Sequence, residues 1–178
     1  MKKVIVRALV SLAIILAAIL IFAATKPDTF RVERSLAIKT PPEKIALLIS
    51  NFHNWGSWSP YEKIDPSMKR TFDGAEAGKG AVYEWDGNGK AGSGRMEILE
   101  TSPTKITIKL DFLKPFEGHN TAEFILETKS DSSTHVTWAI QGPNQFIGKM
   151  ISIFVSMDQM IGKDFETGLS NIKALTEK

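Results

Sequence analysis

Along the chain, apolar and polar positions separate one unbroken apolar run from a longer, periodic remainder. From Ala8 to Ala24 no charged residue interrupts a stretch of mostly Leu, Ile and Ala, and Lys2, Lys3 and Arg7 precede it. A spanning helix needs roughly 20 apolar residues, with about 17 as a lower limit, whereas the apolar core of a secretory signal needs about 7–15. The run lies at that boundary, so it reads as an uncleaved anchor, a cleaved signal or a buried helix of the domain. The best cleavage triplet, Ala23-Ala24-Thr25, is weakened by Phe22 at the −3 position, which favours the anchor. The basic flank is expected to stay in the cytoplasm. This arrangement is a single-pass membrane protein with its domain on the outer, periplasmic or extracellular, side; cleavage would make it a secreted protein instead. The expected division is residues 1–25 as anchor or signal segment, 26–29 as a short linker and 30–178 as one folded domain.

Beyond the linker the period changes. Phe30 to Ile38 alternates apolar with polar residues, as a half-buried strand does. Thr40-Pro41-Pro42-Glu43 signals a helix start with Thr40 as cap, and Ile45, Leu47, Leu48 and Ile49 carry that helix from about Pro42 to Ser50. Asn51 to Asp65 is rich in aromatic residues, Gly, Pro and small polar residues, and reads as a loop. Strand-like pieces at Ala81–Trp85 and Arg95–Leu99 are separated by closely spaced glycines, which suggest turns, bulges and strong curvature. Lys105–Phe112, Asn120–Thr128 and Thr134–Ile140 then alternate cleanly as an antiparallel meander. From Pro143 the spacing becomes three or four, through Met150, Phe154, Met157, Ile161, Phe165, Leu169, Ile172 and Leu175, which predicts a long amphipathic helix with a break near Ser156. Strand, helix, about six strands and a long helix make an α+β fold with a curved antiparallel sheet.

Composition acts mainly by exclusion. The formal net charge is +2, and the basic residues gather on no predicted helix or stripe, so nucleic acid is not an expected partner. Without cysteine the chain has no disulfide, no thiolate metal site and no thiol nucleophile. His53, His119 and His135 lack the spacing that puts two ligands on one helical face, and no metal or cofactor is expected. Ser57 and Ser59 lie in no nucleophile elbow. Gly87-Asn88-Gly89 and Gly92-Ser93-Gly94 open no helix, so they read as turns rather than a phosphate loop.

In combination these segments resemble the SRPBCC superfamily, the START-like helix-grip proteins, and within it the polyketide cyclase/dehydrase branch. The likeness is carried by the strand Phe30–Ile38 running into Thr40-Pro41-Pro42-Glu43-Lys44-Ile45, by Asn54-Trp55-Gly56-Ser57-Trp58-Ser59-Pro60-Tyr61, and by Gly80–Asn88. Gly92–Met96, Val136-Thr137-Trp138 and the final helix with Phe165, Gly168 and Leu169 complete it. The resemblance implies a sheet wrapped around the C-terminal helix, with a pocket between them for a lipid, polyketide or other apolar small molecule. It implies no single reaction, and no residue set here matches a catalytic pattern, so no catalytic residue is assigned.

The candidate pocket residues are Trp55, Trp58, Tyr83, Trp85 and Trp138, which pair large apolar surfaces with a polar handle, together with Met157, Ile161 and Phe165 on the helix stripe. Each has an ordinary core residue as its alternative reading, the more so Tyr83, Trp85 and Trp138. Binding of a hydrophobic small molecule or lipid by a membrane-tethered domain is the first reading. The alternative is a cyclase- or dehydratase-like enzyme in the same pocket, using His53 or a buried carboxylate from Glu84 or Asp86.

Overall fold

The computed structural model describes residues 1–129 and 132–178. Helix α1 (Lys2–Ala24) is 23 residues long, about 34 Å at 1.5 Å per residue, and its apolar side chains are exposed apart from Ile19 and Ala23. Strand β1 (Thr29–Ile38) follows, then α2 (Pro42–Ile49), capped by Pro41 rather than by Thr40. The helix starts at Pro42 as expected, but a residue before proline is pushed out of the helical region, so Pro42 holds Pro41 extended and makes it, not Thr40, the cap. The Thr40 hydroxyl is left buried behind it, without a hydrogen-bond partner.

Asn51 to Asp65 is not an irregular loop. Single helical turns cover Phe52–Asn54, α3 (Trp55–Trp58) and Pro60–Lys63. The Asn51 side chain opens the first by accepting from the His53 amide, and side-chain contacts to α2 hold the turns where propensity alone would not.

Six strands follow: β2 (Lys69–Gly74), β3 (Ala81–Asp86), β4 (Ser93–Thr101), β5 (Lys105–Lys114), β6 (Gly118–Thr128) and β7 (Thr134–Pro143). With β1 they form one antiparallel sheet in the order β1-β7-β6-β5-β4-β3-β2. A register shift between Ile98 and Glu100 supplies the bulge that the glycine-rich segment suggested. The chain ends in α4 (Phe146–Ile151) and α5 (Met157–Thr176), broken at Ser156, whose hydroxyl and backbone form a capping box with Gln159.

α5 runs alongside β1 in the same direction. Near its start Asp158, with Glu166 two turns on, holds the Arg34 guanidinium; near its end Glu177 accepts from the Lys39 amide. The inner face of the sheet therefore has two unlike ends. Under the C-terminal half of α5 and α2, Ile38, Ile45, Ile49, Ile98, Ile106, Leu126, Val136, Leu169 and Ile172 are fully buried. Under the N-terminal half, Phe30, Trp85, Leu110, Met157 and Ile161 pack on the core but are only partly buried. We refer to these as the closed and open ends.

Candidate functional site

Three side chains from the aromatic segment bind successive carbonyls at the end of α2. Asn54 Nδ2 donates to Leu47 O at 3.0 Å, Trp58 Nε1 to Leu48 O at 3.1 Å and Trp55 Nε1 to Ile49 O at 2.9 Å. A helix terminus leaves its last carbonyls unpaired, so these bonds cap α2 and fix both indoles at once. The rings then form a continuous stack. Trp55 meets Trp58 at 4.8 Å, Trp58 meets Trp138 edge-on at 5.5 Å, and Trp138 lies flat on Phe165 at 4.1 Å with an interplanar angle of 7°. Phe124 backs this group, and Phe52 links it to Tyr83.

All eight sequence-predicted residues come together in this one cluster between sheet and helix. Trp55, Trp58, Tyr83, Trp138 and Phe165 are buried and form its floor. Trp85, Met157 and Ile161 stand at the open end, only partly covered. Trp85 reaches across Gly94 of the neighbouring strand, where any Cβ would collide with its ring, and its Nε1 donates to Ala91 O at 3.1 Å.

The acid–base candidates are placed elsewhere. His53 is exposed and stacks on Phe72 at 4.1 Å, at the β2 edge. Glu84 and Asp86 are exposed on the outer face of β3. Polar groups that do border the interior were not evident in the sequence. Burial pushes the Asp164 carboxyl on α5 above the usual carboxylate range and pushes the Tyr61 hydroxyl up beside it, the Asp164 charge adding to the latter. Glu62 accepts from Tyr83 Oη and from Arg70 Nε, both at 2.6 Å. Its side chain is 9% exposed, and both its oxygens are engaged. Arg34 alone left a trace in the sequence, as a charge on the apolar side of the Phe30–Ile38 alternation.

Among the clefts at the surface, one of about 240 Å³ lies beside His53, Phe72 and Glu76, and one of about 510 Å³ lies at the β1–β7–β6 edge, mostly on the outer face of the sheet, beside Phe30, Arg31, His119, Thr121 and Gln141. Neither is lined by a tryptophan. In this conformation, ring after ring occupies the space between sheet and helix.

Residues 29–177 match the model of a family described as polyketide cyclase/dehydrase and lipid transport. The chain belongs to that family. Solved structures agree at the level of fold. Protein CV1439 from Chromobacterium violaceum is 16% identical with a TM-score of 0.57, over 86% of this chain and 99% of that one. The major latex-like protein 151 of Panax ginseng is 14% identical with a TM-score of 0.56, over 85% and 100%. BexL, a di-domain ARO/CYC protein from the BE-7585A biosynthetic pathway, is 10% identical with a TM-score of 0.60, and this family member, aligned over 88% of its length, spans 53% of BexL. No curated protein sequence matches. At these identities the structural neighbours support the helix-grip fold and leave the ligand to be argued from the chain itself.

Proposed function

We propose that this family member is a membrane-tethered binder of a hydrophobic small molecule or lipid, held at the open end of the space between sheet and α5. The observation that carries the reading is the unequal burial of one continuous apolar face. Phe30, Trp85, Leu110, Met157 and Ile161 remain partly uncovered side by side around a fully packed floor, while at the other end the partly buried apolar residues are Leu36 on the edge strand and Ala46 and Leu48 on α2. Met157, unbranched with three rotatable side-chain bonds, has enough rotamer freedom to move aside for a ligand. The tether is α1, with mean hydropathy 2.9 over its most apolar window. Lys2, Lys3 and Arg7 orient the chain with the N-terminus in the cytoplasm and the domain on the outer side.

A second reading, a cyclase- or dehydratase-like enzyme in the same space, is supported by Asp164. Burial favours its protonated form, and its charge acts on Tyr61, which packs against the apolar core. Native mass spectrometry of full-length protein extracted in mild detergent separates the two. An apolar molecule that co-purifies and is released unchanged supports binding. Time-dependent conversion of that molecule, lost in Asp164→Asn with binding retained, supports the enzyme. Protein that carries no apolar molecule, and takes up none when offered lipid extract, contradicts both.

A further inference from the structure

α1, the start of β1, the end of β7 and α4 meet at one corner of the molecule. Ala23, near the end of α1, is fully buried, and α1 packs against α4. The four residues between α1 and β1 are tied to the same place: Asn144 donates from its amide to Asp28 O at 2.7 Å and from Nδ2 to Pro27 O at 3.1 Å, and Lys149 Nζ bonds the Asp28 carboxylate. That last bond, with the attendant charge, holds the Asp28 carboxyl below its usual range. α4 is thereby pinned at the level where α1 ends.

α4 and the segment after it expose a run of large apolar side chains. Phe146 is 49% exposed, Ile147 51%, Ile151 41%, Phe154 77% and Val155 42%. Met160, 50% exposed on the first turn of α5, extends the same surface. Scattered apolar residues are normal on a surface, but six within fifteen positions, adjoining a helix of bilayer length, are not.

We propose that Phe146–Val155 is an interfacial docking element that enters the headgroup–acyl boundary of the bilayer spanned by α1. This inference rests on the tethered reading above. The occupant is lipid because the patch is continuous with α1 and pinned to its end. An apolar side chain there lies within about 5–10 Å of the hydrocarbon, the depth at which interfacial helices settle. Docking also fixes orientation. Phe30, Met157 and Ile161, at the open end, belong to the elements flanking α4, so the docked domain presents that end to the membrane surface and a lipid can pass between bilayer and protein without crossing water.

The absence of cysteine makes the test direct. Single-cysteine variants of the full-length protein, Ile147→Cys, Phe154→Cys, Leu16→Cys and Glu76→Cys, are labelled with an environment-sensitive fluorophore. They are reconstituted in phosphatidylcholine–phosphatidylglycerol vesicles containing doxyl-labelled phosphatidylcholine. Docking predicts blue-shifted emission and at least twofold quenching at 147 and 154, comparable with that at 16 and absent at 76 on the far hairpin. Quenching at 16 without quenching at 147 or 154 overturns the docking element and leaves the tether standing. Failure of quenching at 16 removes the tether, and the docking element with it. A blue shift at 147 and 154 without lipid quenching assigns the patch to a protein surface, a second copy included, and also overturns the proposal.

Discussion

Trp58 is fully enclosed, with its N–H on the Leu48 carbonyl and its ring between Trp55, Phe124 and Trp138. A side chain so placed holds the floor together. Trp58→Ala is expected to cost about 3–5 kcal/mol in denaturant unfolding, whereas Trp58→Phe, which keeps a ring but leaves the Leu48 carbonyl unpaired, is expected to cost less, about 1–3 kcal/mol. Equal losses for the two variants would show that the ring's size is not what matters. His119 behaves differently, at the surface. Its Nδ1 lies 2.7 Å from Asp111 Oδ1, and this bond raises the imidazole pKa above its ordinary value. Burial works against the Asp111 charge, but Lys109 and His119 outweigh it and hold that carboxyl below its usual range. A raised histidine pKa means a contribution fully present below about pH 6.5 and lost as pH rises through the raised value. Stability is therefore expected to fall as pH rises from about 6.5 through the raised value in the parent protein, and less so in His119→Gln. Parallel pH profiles of the two denaturant midpoints would remove His119 as the cause.

Among the elements, α5 is decided by its glycines as much as by its apolar stripe. Gly168 faces Trp138, and a Cβ there would lie 2.7 Å from the indole, which is itself clamped by Phe165. Ala is the better helix former by about 1 kcal/mol, yet Gly168→Ala is expected to destabilise by about 1–3 kcal/mol, because the ring has nowhere to go. A gain in the unfolding midpoint would mean that the stack is looser than described. The stripe from Met157 to Ile172, the break at Ser156 and the meander were all legible in the sequence, because periods of 3.6 and 2 survive without tertiary context. The turns between Asn51 and Lys63 were not legible, since what holds them is a set of carbonyls at the end of a different helix. The capping role of Thr40 failed for a local reason, the doubled proline. The aromatic set was visible as a set, but its division into a buried floor and an open rim depends on which end α5 covers. No periodicity encodes that, nor the electrostatic influence of Asp164 on Tyr61 from a distant segment.

In the whole molecule an apolar helix, a packed floor and an uncovered rim form one arrangement. Every buried core residue except Ala23 lies between Val32 and Ile172, so a fragment beginning at Lys26 is expected to be soluble and folded. The full-length chain is expected to stay in the membrane fraction through an alkaline carbonate wash. Release by the wash, or an intact mass lacking the first two dozen residues, would exclude the anchor. Whether an apolar molecule occupies the open end of the space between sheet and α5 can be read by photo-crosslinking. Full-length protein in membranes is illuminated with a diazirine-bearing fatty acyl probe, and the adducts are mapped by peptide mass spectrometry. Adducts are expected on Trp85, Leu110, Met157 and Ile161, reduced severalfold by excess unlabelled lipid. Adducts confined to α1 and α4, with none on the inner face of the sheet or on α5, would contradict that occupancy.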